Sequence, residues 1–166
     1  MMATRRFLVA LAGTEDSDLP QLVARVAGAA GGAIELTLLH VEEAGPRELA
    51  ASDPAVRRGP WPLPRRAVIE HRLSVADDEG STALLAAWRD RFAAALPGVE
   101  IATLVARGRP EQEIVAAAGR LKADAVVLAP RPRSGPTEPG PRSVGHVARF
   151  VLDHSPVPVL FIRRTD

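Results

Sequence analysis

The 166-residue chain has no cysteine and no tyrosine, and aromatics make up only 4% of it. Without cysteine there is no disulfide framework, no thiol nucleophile and no thiolate ligand for zinc. With so few aromatics, the core must be built from Ala, Val and Leu. Neither sign of charge is in excess: 21 Lys and Arg stand against 20 Asp and Glu, a formal net charge of +1. Such a balance exerts no global pull toward nucleic acid or an anionic membrane surface, so neither is an expected partner. No apolar run approaches the roughly 18–20 residues that cross a bilayer. The run from Phe7 to Ala12 is too short for the core of a signal peptide, and Glu15, Asp16 and Asp18 follow it closely. A cytoplasmic location is the expectation. The four histidines, His40, His71, His146 and His154, form no HExxH or clustered pattern, so no metal site is expected. A G-x-S-x-G nucleophile elbow is also missing.

What is present fits one globular domain over residues 1–166, 46% apolar and 25% charged. "FLVALA", Phe7 to Ala12, reads as a buried strand that ends at Gly13. Ser17 or Asp16 is placed to cap a helix. Leu19, Leu22, Val23, Val26, Ala27 and Ala30 then fall on one helical face, and Gly31-Gly32 ends it. Ala33 to Val41 is a second strand. Residues 43–80 form a Pro/Arg-rich insert with "GPWPLPRR" and paired arginines, mostly loop because proline supplies no ladder N–H. Within it, Ala67 to Val75 reads as a weak strand.

A second helix is expected from Ser81 to Ala95, with Leu84, Leu85, Trp88, Phe92 and Leu96 on one face. Val99, Ile101, Thr103 and Val105 alternate as in a half-buried strand. Pro110 opens a third helix lined by Ile114, Val115, Ala118 and Leu121. Ala125 to Leu128 is a fourth strand. Beyond a proline-rich loop, Val144, Val147, Ala148, Val151 and Leu152 form a fourth helical stripe, and Val157 to Ile162 a fifth strand.

Strands alternating with helices imply an α/β fold, with a five-stranded parallel sheet between two helical layers. Ligands of such sheets bind beyond the carboxyl ends of the strands, where strand order reverses. Those ends carry Ala12-Gly13-Thr14, Val41-Glu42, Arg107-Gly108 and the segment from Ala129 to Pro132.

Four pieces carry a resemblance: "FLVALAGTEDS", "LLHVEE", "GRPEQEIVAAAGRLKADAVVLA" from Gly108, and "GHVARFVLDHSPVPVLFIR" at the end. Together, and in this order, they make the chain resemble the universal stress protein family over nearly its whole length outside the insert. The resemblance implies a three-layer, flavodoxin-like sandwich of the adenine-nucleotide alpha hydrolase type. It also implies a homodimer, pairing through the C-terminal strand Val157 to Ile162, and in some members ATP binding. ATP-binding members carry an Asp after the first strand and G-x2-G-x9-G-(S/T) after the fourth. Here the Asp position is Ala12. Anchored on the fourth strand, the first two glycines fall on Ala129 and Pro132. Anchored on the last helix, the third falls on Gly145, followed by His146, and the loop is about three residues longer than the pattern. A second register, Pro132 through Gly135 to Gly145, keeps the spacing and two of the three glycines.

The chemistry of these replacements is predictable. Pro132 removes an N–H donor and biases Arg131 to extended backbone, which works against a nest of amides around phosphate. Losing the Asp removes a charged acceptor, and each such bond is worth roughly 1.5–3 kcal/mol. An eroded ATP site, with weak or no ATP binding and no required cofactor, is therefore expected in a regulatory or interaction module with unidentified protein partners. The alternative is a nucleotide- or anion-binding protein using the remnant loop at 129–146. Gly145 at a helix start still offers free N–H groups, and Arg131, Arg133 and Arg142 could add charge. Its contacts would be Gly13, Thr14, Val41, Arg131, Gly145 and His146. The plain alternative for the same loop is a solvated connection.

No enzyme is expected. A slow nucleotide hydrolase would need a base, for which Glu15 or His146 would be guesses. For Thr14 to Ser17, capping is the simpler role. His40 reads as a satisfied structural histidine, His146 as an exposed first-turn residue and Trp88 as core. The arginines around Trp61 could bind an acidic partner, against the simpler reading of a basic surface loop.

Overall fold

The computed structural model describes residues 4–13, 15, 18–44, 79–129 and 144–162. Five strands and four helices alternate along them: β1 (Arg5–Leu11), α1 (Leu19–Ala30), β2 (Ile34–Glu43), α2 (Glu79–Ala95), β3 (Glu100–Gly108), α3 (Pro110–Arg120), β4 (Ala125–Leu128), α4 (His146–His154) and β5 (Val159–Phe161). The strands form one sheet in the order β3-β2-β1-β4-β5. Every neighbouring pair is parallel, with Leu8 opposite both Thr37 and Val126. This is the expected α/β sandwich with a five-stranded parallel sheet.

The alternation of each strand divides the core in two. Phe7, Val9 and Leu11 of β1 join Leu36 and Leu38 of β2 against Leu19, Val23 and Ala27 of α1 and Leu85, Trp88 and Phe92 of α2. Leu8 and Leu39 point the other way, toward Ile114, Ala117 and Ala118 of α3 and Ala148 and Val151 of α4. β4 is buried at all four positions, as a central parallel strand covered on both faces must be. Trp88, at 3% exposure, is core as expected.

Some expectations are corrected in detail. The N-cap of α1 is Asp18, after both proposed caps; Pro20 in the first turn fixes where the helix can begin, and the Leu22 N–H bonds the Asp18 carbonyl at 3.1 Å. Val26 and Leu152, assigned to buried stripes, are exposed at 41% and 44% because each lies at the margin of its helix's apolar arc. Thr103 is exposed on β3, which among the described residues pairs only with β2. The last strand is three residues long, since Pro156 and Pro158 precede it and Val159 is the first residue to join the ladder. The insert, including the weak strand at Ala67 to Val75 and the arginines around Trp61, lies outside the described residues apart from its two ends.

Candidate functional site

From β1 the chain winds through β2 to β3 on one side, and through β4 to β5 on the other. The reversal lies between β1 and β4, so the physically favoured crevice is at their carboxyl ends. Ala12 and Gly13 leave β1 there, and Ala129 leaves β4.

Gly13 has φ +88°, a backbone conformation that a side chain disfavours. It is also crowded, because a Cβ at this position would stand 3.2 Å from Cδ2 of Leu84 on α2. The turn folds the chain back so that Glu15 reaches the strand it has just left. One Glu15 carboxylate oxygen accepts from the Ala12 N–H, and the other accepts from the Gly13 N–H at 2.8 Å. The two amides released where β1 leaves the ladder are therefore held by an internal anion. Glu15 caps a strand end rather than a helix. In the sequence it reads only as a cap or a base.

His40 closes the next gap in the ladder. Its Nδ1 lies 2.9 Å from the Leu11 carbonyl. A carbonyl can only accept, so Nδ1 carries the proton and donates. His40 is satisfied structurally, as expected. Val41, half-buried on β2 and opposite Ala106 of β3, packs into the cluster beneath α3 and α4.

At the start of α4, Gly145 is the N-cap with φ +88°, and a Cβ there would meet nothing within 4 Å. His146 is the first helical residue and is exposed, its side chain at 81%. Its Nε2 stands 3.8 Å from Oε1 of Glu111 in the first turn of α3, whose side chain is 12% exposed. Two more carboxylates lie at this end. Glu113 is buried, and its Oε1 would stand 2.7 Å from a Cβ at Gly108, so close packing requires glycine there. Glu42 has a buried Oε1 with no hydrogen-bond partner among the described residues.

Of the residues expected to contact a ligand, Gly13, Val41, Gly145 and His146 all sit at the carboxyl end of the sheet. Thr14, Arg131, Arg133, Arg142, Pro132 and Gly135 lie outside the described residues, so the register of the loop after β4 does as well. Among the described residues no group of three or more His, Asp or Glu is placed to hold a metal ion, and no helix is long and apolar enough to cross a membrane.

Comparison with known proteins places this geometry in a wider set. The model of the universal stress protein family matches residues 3–163. No curated protein sequence matches the chain. Among solved structures, the universal stress protein UspA from Lactobacillus plantarum is 24% identical with a TM-score of 0.57, covering 96% of this chain and 97% of that one. A family protein from Arabidopsis thaliana with AMP bound is 18% identical with a TM-score of 0.57, covering 97% and 92%. A universal stress protein from Archaeoglobus fulgidus in complex with dAMP is 19% identical with a TM-score of 0.53, covering 97% and 98%. At these identities the structures share the fold.

Proposed function

The chain belongs to the universal stress protein family, and from that premise we propose that it is a regulatory or interaction module with a degenerate nucleotide site, binding ATP weakly or not at all. The observation that carries this reading is the Glu15 carboxylate on the Ala12 and Gly13 amides, at the crevice beside the strand-order reversal. A nucleotide entering there finds these two amides already occupied. Ala12, standing where the resemblance puts an Asp, has only a methyl group and adds no acceptor.

Action through protein contacts, as a homodimer, is the second part of the reading. β5 is an edge strand of half-buried apolar residues. Beside it Leu160 and Ile162 lie with Phe7 and Val26 around a shallow apolar depression. An edge of this kind is stabilised by a paired strand. Catalysis is not part of the reading: each Glu15 oxygen is already engaged by an amide, and His146 is exposed beside Glu111.

The alternative, a nucleotide- or anion-binding protein, draws on the helix start at Gly145, where a Cβ would meet none of the described residues within 4 Å, and on relatives solved with AMP and dAMP. Calorimetric titration of the purified protein with ATP and Mg²⁺, with ADP and AMP alongside, separates the two. No heat up to about millimolar ATP is expected, equivalent to binding weaker than about 4 kcal/mol. A micromolar constant would replace the degenerate-site reading with the alternative. Sedimentation equilibrium of the same sample is expected to give the dimer mass, and a monomer at all concentrations would remove that part of the proposal.

A further inference from the structure

The seat that Glu15 fills is made of main chain. The N–H groups of Ala12 and Gly13 are presented together because β1 ends at Leu11 and Gly13 turns with φ +88°. Leu84 lies close enough to that turn that a Cβ at Gly13 would stand 3.2 Å from its Cδ2. Successive amides in such a concavity receive an oxyanion, whichever molecule supplies it. Hydrogen bonds to an ionised acceptor are about twice as strong as neutral ones. The carboxylate that holds them now is tethered within a few residues and always at hand, which gives it the advantage of an intramolecular ligand. It is only half-buried.

Resting on the reading of this end of the sheet as a degenerate nucleotide site, we propose that Glu15 is its internal competitor: an oxyanion, phosphate or carboxylate, binds the Ala12 and Gly13 amides only when the Glu15 side chain leaves them. The weakness of the site toward anions then has a local and reversible component, separate from changes in the loop after β4. It also assigns Glu15 a role apart from catalysis, as the residue that sets anion affinity.

The test compares wild type, Glu15→Ala and Glu15→Gln as folded, ¹⁵N-labelled full-length chains. AMP and inorganic phosphate are the probes, and amide resonances are the readout. Freeing two donors should tighten both probes by about tenfold or more in Glu15→Ala. Glu15→Gln should gain less, since its amide keeps one acceptor oxygen. The Ala12 and Gly13 resonances should move upfield in Glu15→Ala and return downfield as either probe is added. A change in affinity of less than about twofold, within about 0.4 kcal/mol, would overturn the proposal, as would a gain whose shifts leave Ala12 and Gly13 untouched. A gain for AMP with none for phosphate would overturn the oxyanion assignment. If Glu15→Ala does not fold, Glu15→Gln decides by the same criteria. Micromolar AMP binding by the wild type would instead count against the degenerate-site reading, while the variant-to-wild-type ratio would still judge the competitor.

Discussion

At the amino end of the sheet, the charges of the strands are paired across the fold. Arg6 Nε lies 3.0 Å from Oε2 of Glu35 on β2. The Arg6 N–H donates to Asp124 Oδ2 at 2.7 Å, and the Asp124 N–H returns a bond to the Arg6 carbonyl at 2.8 Å. At the carboxyl end the carboxylates named so far are held differently. Glu15 turns back onto its own strand, Glu42 has a buried oxygen without a partner among the described residues, and Glu111 faces the exposed His146. The first end is organised as a closing seam between β1, β2 and the turn into β4. The second brings backbone donors and carboxylates to one crevice. Both ends use glycines at positive φ: Gly31, Gly32 and Gly98 at the first, Gly13, Gly108 and Gly145 at the second. A Cβ at Gly13 or Gly108 would crowd a side chain, whereas one at Gly31 or Gly98 would meet nothing within 4 Å among the described residues.

Substitution of matched glycines tests that contrast and carries the largest expected effect on stability. Gly13→Val places a branched side chain at φ +88° and drives it into Leu84. Strain and overpacking together should cost about 3 kcal/mol. Gly31→Ala, at φ +66° with nothing within 4 Å of the new Cβ, should cost only the backbone term, about 1 kcal/mol. Urea unfolding measures both. Equal losses would mean that Leu84 yields freely, that the turn after β1 is no tighter than an ordinary one, and that the seat for Glu15 is not rigidly held.

How much of this could be read in the sequence follows the range of the forces involved. The four-residue β4 was legible to the residue, because an apolar run between Asp124 and Ala129 has one sensible role in a parallel sheet. Trp88 and Phe92 were placed in the core by spacing alone. The start of α1 was misplaced because three consecutive residues, Asp16, Ser17 and Asp18, all suit a cap and only the path of the chain selects one. Val26 and Leu152 were assigned to the core because periodicity marks the centre of a helical face better than its edges. The fold family was legible from the order of several weak motifs, whereas for the candidate site only the placement of some residues was. Gly13, Val41, Gly145 and His146 were brought to one end by topology, which the strand order predicts. The bond from Glu15 to Ala12 and Gly13 was not legible. It depends on the φ of a single glycine, and the same "GTED" segment in another turn would point its carboxylate to water.

The amino end supplies the smaller effects, and they should leave ligand binding unchanged. Asp124→Ala removes the acceptor of the Arg6 N–H at a junction that ties β1 to the turn before β4. The group is near solvent, so water partly replaces the lost bond, and the expected cost is about 1 kcal/mol. Glu35→Ala removes the ion pair with Arg6, whose side chains are 50% and 43% exposed. A pair so exposed is screened by water and salt and loses in side-chain order much of what it gains, so the change should stay within about 0.5 kcal/mol. Both variants are measured by urea unfolding, and both should keep the wild-type response to AMP. A Glu35→Ala loss above about 1 kcal/mol would show that Arg6, Glu35 and Asp124 act as one coupled network rather than as a backbone bond beside a surface pair. The amino end would then be the more tightly built of the two, and the looser carboxyl end would be where the fold leaves its charges free to move.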